Sequence, residues 1–368
     1  MRSSITLFRR DIPLKTPFKT ALRTVESVQD LVVVLRVDGL TSYGSCSPTV
    51  QITGDSVDKI IHSLQDEILP LLKGRPDIRR PERFFLQKRI SSPSARYMID
   101  TALYDMAAKA SRLSLMKYLG GPESARLTSD ITISLNDPEE MVRDAITAVA
   151  KGFTLLKVKV GNDLKKDFER LEAITGAIPF GLSLRVDANQ AWSPQEAITI
   201  LNSYAAAGFP IEFIEQPVAA QDLAGLKAVT SQTPYPIMAD ESVFTEKDAE
   251  RIFESHAADM INIKLSKCGG LGEAIRICDL AKQYDSECMI GCMMEGPVGI
   301  LAAAHLAGAK RAITRVDLDC PMLYEQLEGD YSVDFKGPNI FIKEGIGLGI
   351  NDPSLERWEG KKLWKVVL

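Results

Sequence analysis

LLKVKV, residues 155 to 160, is followed along the chain by LSLRVD at 182 to 187, IEFIE at 211 to 215, PIMAD at 236 to 240 and MINIKL at 260 to 265. Each is a short aliphatic or β-branched run, and each carries an ionisable residue at or next to its end: Lys159, Asp187, Glu215, Asp240 and Lys264. ITISL at 131 to 135, ECMIG at 287 to 291 and ITRVD at 313 to 317 extend the series to eight. The intervening stretches, such as 137–150 and 193–207, are long enough for a helix and often open on a capping residue or a proline. Strand–helix alternation at this pitch predicts an α/β fold with a parallel barrel. No repeat of sequence accompanies the pitch, so the periodicity is structural and not that of a solenoid.

Outside the series the pattern changes. Residues 4–10 and 31–37 read as strands, the second closed by the Asp38-Gly39 turn. Residues 56–72 carry apolar positions at helical spacing, and 95–110 set Ile99, Leu103 and Met106 along one face. The Gly120-Gly121-Pro122 break marks a domain boundary. The division expected is an α+β unit over 1–125, a barrel over 126–320, and a final segment, 321–368, that contains a hairpin near 340–349 and returns to the first unit.

Composition narrows the function. With 44 basic and 49 acidic residues the net charge is −5, and no basic run offers a nucleic-acid surface. There is no apolar leader before a small-residue cleavage site and no run of membrane-spanning length, so the chain reads as cytoplasmic, without a membrane partner. The cysteines, at 46, 268, 278, 288, 292 and 320, form no CxxC pair and suit reduced thiols. Only His62, His256 and His305 are available, too few for a histidine-rich metal centre. Trp192 and His305 read as structural, and Cys292 as a small wall residue after the seventh strand.

Side chains at the C-terminal ends of barrel strands face the barrel mouth, so Lys157, Lys159, Asp187, Glu215, Asp240, Lys264 and Asp317 are expected to converge. Carboxylates gathered in this way repel one another, and a divalent cation that prefers hard oxygen ligands resolves the repulsion; Mg²⁺ fits best. Lysines from the second and sixth strands then stand where a proton can be removed from one face of a planar intermediate and returned to the other. A proton α to a carboxylate is too weakly acidic for an unassisted amine, and the enediolate formed needs positive charge beside it. Lys157, two residues before Lys159, points to the same side of its strand. The two ammonium groups are expected to disfavour each other, leaving Lys159 available as a base.

These motifs resemble those of the enolase superfamily, muconate-lactonizing subgroup: Leu156-Lys157-Val158-Lys159-Val160-Gly161, Arg185-Val186-Asp187-Ala188-Asn189, Ile214-Glu215-Gln216-Pro217, Ala239-Asp240-Glu241-Ser242 and Asn262-Ile263-Lys264. The resemblance covers nearly the whole chain, including ALYDMAAKASRLSLMKYLGG at 102–121. It implies an α+β capping domain over a (β/α)7β modified TIM barrel, with one Mg²⁺ per subunit on Asp187, Glu215 and Asp240. It further implies Lys159 and Lys264 as the acid/base pair and Lys157 as a holder of the substrate carboxylate.

Within the subgroup the chain most resembles the dipeptide epimerases. Asp317-Leu318-Asp319 matches the motif with which those enzymes bind a dipeptide's α-ammonium. Arg23, in Pro17-Phe18-Lys19-Thr20-Ala21-Leu22-Arg23, matches a lid-loop arginine that pairs with a glutamate side chain, and Thr132 falls at a substrate-contact position. The implied reaction is 1,1-proton transfer at the α-carbon of the C-terminal residue, interconverting L-Ala-L-Glu and L-Ala-D-Glu. The implied setting is recycling of cell-wall peptides, the expected ligand a small dipeptide, and the expected assembly a homo-oligomer. Cys292 and Cys320 depart from the residues the resemblance leads one to expect, which leaves the preferred side chain open.

Other readings are separable. N-acylamino acid racemase, o-succinylbenzoate synthase and muconate cycloisomerase activities use the same scaffold on substrates without a free ammonium, which the Asp317/Asp319 pair would repel. An epimerase for a different dipeptide keeps the same site with another lid. A Schiff-base lysine, as in class I aldolases, leaves the carboxylates unexplained. A barrel serving only as a scaffold needs none of these groups.

Overall fold

The computed structural model describes residues 3–20, 23–73, 77, 80–85, 89–161, 163–327, 329–350 and 361–368. β1 (Ser4–Lys19), β2 (Thr24–Val37) and β3 (Leu40–Cys46) form an antiparallel meander. β1 and β2 run well past the stretches 4–10 and 31–37: the backbone ladder continues through Ile12↔Val28 and, after an irregularity, to Phe18↔Val25 and Lys19↔Thr24. Ile12, Leu14 and Val28 of this extension join the buried core, but prolines and charged residues interrupt them, so the apolar signal is sparse. The helix Pro93–Ala110 lies across β3, capped by Ser92, whose hydroxyl accepts from Ala95 N, with proline at its first position. Gly44 permits that approach: a Cβ there would stand 1.8 Å from Met98 O. The helical stretch expected over 56–72 is broken by a wider turn at Leu64–Ile68.

β4 (Ala125–Thr128) leads into the barrel, whose strands are β5 (Ile131–Ile133), β6 (Leu155–Lys159), β7 (Ser183–Asp187), β8 (Ile211–Glu215), β9 (Ile237–Ala239), β10 (Met260–Lys264), β11 (Glu287–Gly291) and β12 (Ile313–Asp317). They form one eight-stranded parallel sheet in chain order. Helices from Pro138–Ala150 to Pro297–Ala309 follow the strands, several begun by a proline or a capping box such as Ser193/Glu196. Phe213, Met238, Met260 and Met289 pack together as a separate cluster formed by strands β8 to β11.

β13 (Val333–Lys336), β14 (Asn339–Ile342) and β15 (Lys361–Val367) complete the chain. The hairpin expected near 340–349 lies earlier, at β13–β14, turning through Gly337 at φ +55, a conformation glycine adopts without a Cβ penalty. β14 pairs with β4, whereas β15 pairs antiparallel with β1. No helix among the described residues is long and apolar enough to cross a membrane.

His305 ties these parts together from the fully buried interior of its helix. Its Nδ1 accepts from Met116 N at 3.2 Å, so Nε2 carries the proton toward Leu348 O at 3.3 Å. Burial pushes its pKa down to about 4. The unfolded chain therefore binds the proton first on acidification, and the stability of the neutral ring, present above pH 6.5, is lost as pH falls through 4. Thermal melts should show His305→Gln less acid-sensitive than the parent between those values, by on the order of 3 kcal/mol across the window; parallel pH profiles would contradict this.

Candidate active site

Strand register gathers the charges. Lys159 pairs with Asp187 and Asp187 with Glu215 across β6, β7 and β8, while Lys264, Gly291 and Asp317 are in register across β10, β11 and β12. Lys157 Nζ lies 2.7 Å from both Asp317 Oδ2 and Glu215 Oε2 and 3.1 Å from Asp187 Oδ2. Lys159 Nζ is 2.5 Å from Asp187 Oδ2. Lys264 Nζ is 2.7 Å from Asp240 Oδ2 and 4.0 Å from Glu215 Oε1. All seven sequence-predicted groups of the barrel mouth thus belong to one buried network.

Burial opposes every one of these charges, and the neighbours decide the outcome. It raises the Asp187 and Asp240 carboxyls, but Lys159 and Lys157 outweigh it at Asp187, and Lys264 and Lys267 do so at Asp240; both end below the usual carboxylate range. Glu215 goes the other way, pushed up to about 7 by burial and by Asp187. For Lys157, burial would lower the ammonium's pKa, yet Asp317, Glu215 and Asp187 hold it well above its ordinary value. The expectation that a neighbouring ammonium suppresses the charge of Lys157 is therefore corrected. Asp187 contacts both ammonium groups, and carboxylates dominate the field at Lys157.

Asp317 and Asp319 follow β12 into the same cavity. Asp317 is buried, but Lys157 and Lys264 bring it down to about 2. Asp319, also buried and beside Asp317, is raised to about 6, while its Oδ2 accepts from Thr132 N at 2.7 Å. Thr132 and Arg23 line this cavity too. Ala21 and Leu22, in the stretch that carries Arg23, lie outside the described residues. The described residues beside them are held: Arg23 N donates to Thr20 Oγ1 at 3.2 Å, Leu135 N to Lys19 O at 3.1 Å, and Lys19 Nζ to Asn136 Oδ1 at 2.7 Å. Burial lowers the Arg23 pKa. Cys292 forms part of the cavity wall, in keeping with its sequence reading, whereas Trp192 and His305 are buried outside it.

Four residues escaped the sequence reading. Lys267 is buried and donates to Asp240 O and, at 2.5 Å, to Asp240 Oδ1; its only sequence signal is its position one turn after Lys264. Asn262 Nδ2 donates to Glu215 Oε1 at 2.9 Å, and Asn189 Nδ2 to Glu241 Oε1 at 3.2 Å. These three sit inside motifs quoted for their neighbours. Glu241 is raised to about 8 by burial and by Asp240.

The donor set suits a hard divalent cation. Asp187, Glu215 and Asp240 offer only carboxylate oxygens, on neighbouring strands, and the buried Glu241 Oε2, Asn189 Oδ1 and Asn262 Oδ1 accept no hydrogen bond. The three ligand candidates do not close into a ready-made cage among the described residues. The Lys157 ammonium contacts both Asp187 and Glu215, and that of Lys264 approaches both Glu215 and Asp240.

Lys267→Met removes a cation from a buried carboxylate without removing the carboxylate. Urea unfolding should show a loss of about 3–5 kcal/mol, with Lys267→Arg much closer to the parent; equal stability of the Met variant would show the contact to be dispensable.

Comparisons with known proteins agree with this geometry. Residues 2–120 match the mandelate racemase/muconate lactonizing enzyme N-terminal domain, and residues 140–352 match the enolase C-terminal domain-like family. The chain is 44% identical over 350 residues to an L-Ala-D/L-Glu epimerase of Clostridium acetobutylicum, covering 94% of this chain and 97% of that one. Among solved structures, the substrate-liganded L-Ala-D/L-Glu epimerase from Bacillus subtilis superposes with a TM-score of 0.88 at 39% identity, covering 94% of this chain and 98% of the other. The Enterococcus faecalis dipeptide epimerase, complexed with Mg and L-Leu-L-Tyr, gives 0.89 at 36% identity, covering 96% and 100%. With both domains matched and the barrel-mouth charges assembled, this chain belongs to the mandelate racemase/muconate lactonizing enzyme family of the enolase superfamily.

Proposed function

We propose that the protein is a Mg²⁺-dependent dipeptide epimerase that interconverts L-Ala-L-Glu and L-Ala-D-Glu. The observation that carries this reading is the composition of one cavity, lined by Lys159 and Lys264, the acids Asp317 and Asp319, and the Arg23 guanidinium. A dipeptide with a glutamyl C-terminus presents the complementary set: an α-proton, an ammonium and a side-chain carboxylate. In this reading residues 1–125, rejoined by 321–368, cap a catalytic barrel over 126–320.

Asp187, Glu215 and Asp240 would hold Mg²⁺, which would supply positive charge beside the substrate carboxylate. The Lys157 ammonium binds the substrate's α-carboxylate from the second barrel strand. Lys159 and Lys264 stand on opposite faces of the α-carbon; one takes the proton, and the other gives its own to the opposite face, which inverts the centre. Asp317 and Asp319 hold the α-ammonium, with Thr132 beside them, and Arg23 presents its fork to the glutamate side chain.

Two alternatives are weaker on specific grounds. An N-acyl substrate would place an uncharged group against Asp317, which is held in its ionised form. Schiff-base chemistry uses a single lysine and leaves unexplained why Asp187, Glu215 and Asp240 are gathered around Lys157, Lys159 and Lys264. A different dipeptide remains the nearest competitor, because a relative of the same fold is complexed with L-Leu-L-Tyr. The setting that accompanies the proposal is recycling of cell-wall peptides in a bacterial cytoplasm, with the chain assembled as a homo-oligomer.

Lys159→Ala and Lys264→Ala should each abolish epimerisation, while at least one retains α-proton exchange with a single stereoisomer; unchanged activity in both would sink the two-base scheme. Added Mg²⁺ should raise the melting temperature in proportion to RT ln(1 + [Mg]/Kd), about 2.7 kcal/mol at a hundred times Kd, and Asp240→Asn should erase that rise. Arg23→Met should raise KM for L-Ala-L-Glu by about tenfold or more, the loss expected for a charge-assisted pair. KM for L-Ala-L-Leu should change little, and equal effects on both dipeptides would remove Arg23 from the side-chain role.

A further inference from the structure

The barrel sheet has two ends, β5 and β12, and Asp317 and Asp319 lie on the β12 side of the seam between them. A single long backbone contact crosses the seam among the described residues, Asp130 N to Val316 O at 3.3 Å. Other polar contacts do the joining, and each lands beside the two acids. Arg185 Nη1 donates to Val316 O at 3.0 Å, Leu318 N donates to Ser129 Oγ at 2.8 Å, and Thr132 N donates to Asp319 Oδ2 at 2.7 Å.

Arg185 is itself fixed on all sides. Its Nη1 also donates to Asp130 Oδ2 at 2.7 Å, its Nε to Glu212 Oε2 at 2.8 Å, and its guanidinium lies over the Phe213 ring at 5.2 Å. It thus reaches from β7 across the barrel to both edges of the seam. Ser129, Asp130 and Arg185 are buried, and none of them lines the catalytic cavity. Every other neighbouring pair of barrel strands shares a registered ladder of two or more residue pairs; here the height of β12 relative to β5 depends on one backbone contact and a few side chains.

We infer that Ser129, Asp130 and Arg185 are positioning residues that set the spacing of Asp317 and Asp319, and so the selectivity of the site for a free α-ammonium. The inference rests on the dipeptide reading given above. An ammonium shared by two carboxylates needs both at hydrogen-bond distance, and a displacement of about 1 Å is enough to weaken such a site by orders of magnitude. Ser129→Ala leaves Leu318 N without its acceptor in a buried place, and Arg185→Met frees Val316 O and Asp130 together.

The test is steady-state kinetics with L-Ala-L-Glu on the Mg²⁺-loaded parent, Ser129→Ala, Arg185→Met and Arg185→Lys, with the Mg²⁺-induced melting shift measured for each. Ser129→Ala and Arg185→Met should raise KM by about tenfold or more, with kcat within roughly threefold and the Mg²⁺ shift retained. Arg185→Lys should fall between parent and Met variant. Unchanged KM in Ser129→Ala, which deletes one hydroxyl and decides the matter if Arg185→Met fails to fold, overturns the inference and leaves the dipeptide reading intact. A fall in kcat together with loss of the Mg²⁺ shift also overturns it, since that marks general disruption. A parent that binds Mg²⁺ but leaves the dipeptide unchanged overturns both.

Discussion

Burying charge at the mouth of the barrel is the constraint on which the rest of this structure depends. Lys157, Lys159, Lys264 and Lys267 share that space with Asp187, Glu215, Asp240 and Asp317, each less than a tenth exposed. Moving one such ion into a medium of low dielectric costs on the order of 20 kcal/mol in the idealised limit, and several kcal/mol after relaxation. No position here is tolerable alone; each side chain is held by a partner of opposite sign on another strand. The parallel barrel provides what this needs, a ring of rigid strand ends whose register fixes which charges meet.

The same constraint explains the architecture around the ring. Water admitted freely would weaken every ion pair and every interaction with a developing enediolate, so the mouth must be covered. β1 supplies Phe18 and leads to Arg23, and its end is fastened to the loop after β5 through Lys19, Ser134 and Asn136. Glu295, buried after β11, accepts from Met293 N at 2.9 Å, while Tyr324 and Cys320 donate to its carbonyl. The loops after β11 and β12 are thereby held to one another directly behind the cavity wall.

Much of this was legible in the sequence, and the reason is physical. Each barrel strand announces itself, because a short aliphatic run between helical stretches has few other readings, and IEFIE, ECMIG and ITRVD coincide with β8, β11 and β12 to the residue. The ionisable strand ends were visible for the same reason: a charged residue closing a buried run is costly unless it has work to do. What escaped lacks a local signature. Lys267 meets Asp240 across 27 residues of sequence, in a turn that reads as an ordinary helix start. The outer halves of β1 and β2 carry only scattered apolar residues, Ile12, Leu14 and Val28 among prolines and charges, so their pairing reveals them better than their pattern does. The β13–β14 hairpin was shifted because Gly345, Gly347 and Gly349 suggest turns as strongly as Gly337 does. The seam between β5 and β12 is invisible in principle, since no sequence pattern states that two strands fail to form a ladder.

Family membership follows from both domains and from the assembled charges; the step beyond it is that these charges move a proton at the α-carbon of a dipeptide. Incubation of the Mg²⁺-loaded protein in D₂O with L-Ala-L-Glu, and separately with L-Ala-D-Glu, reads that step directly by NMR of the glutamyl α-proton and by polarimetry. The account predicts loss of the α-proton signal from either isomer, accompanied by conversion to the other. Metal-loaded, folded protein that exchanges no α-proton in either dipeptide would contradict it.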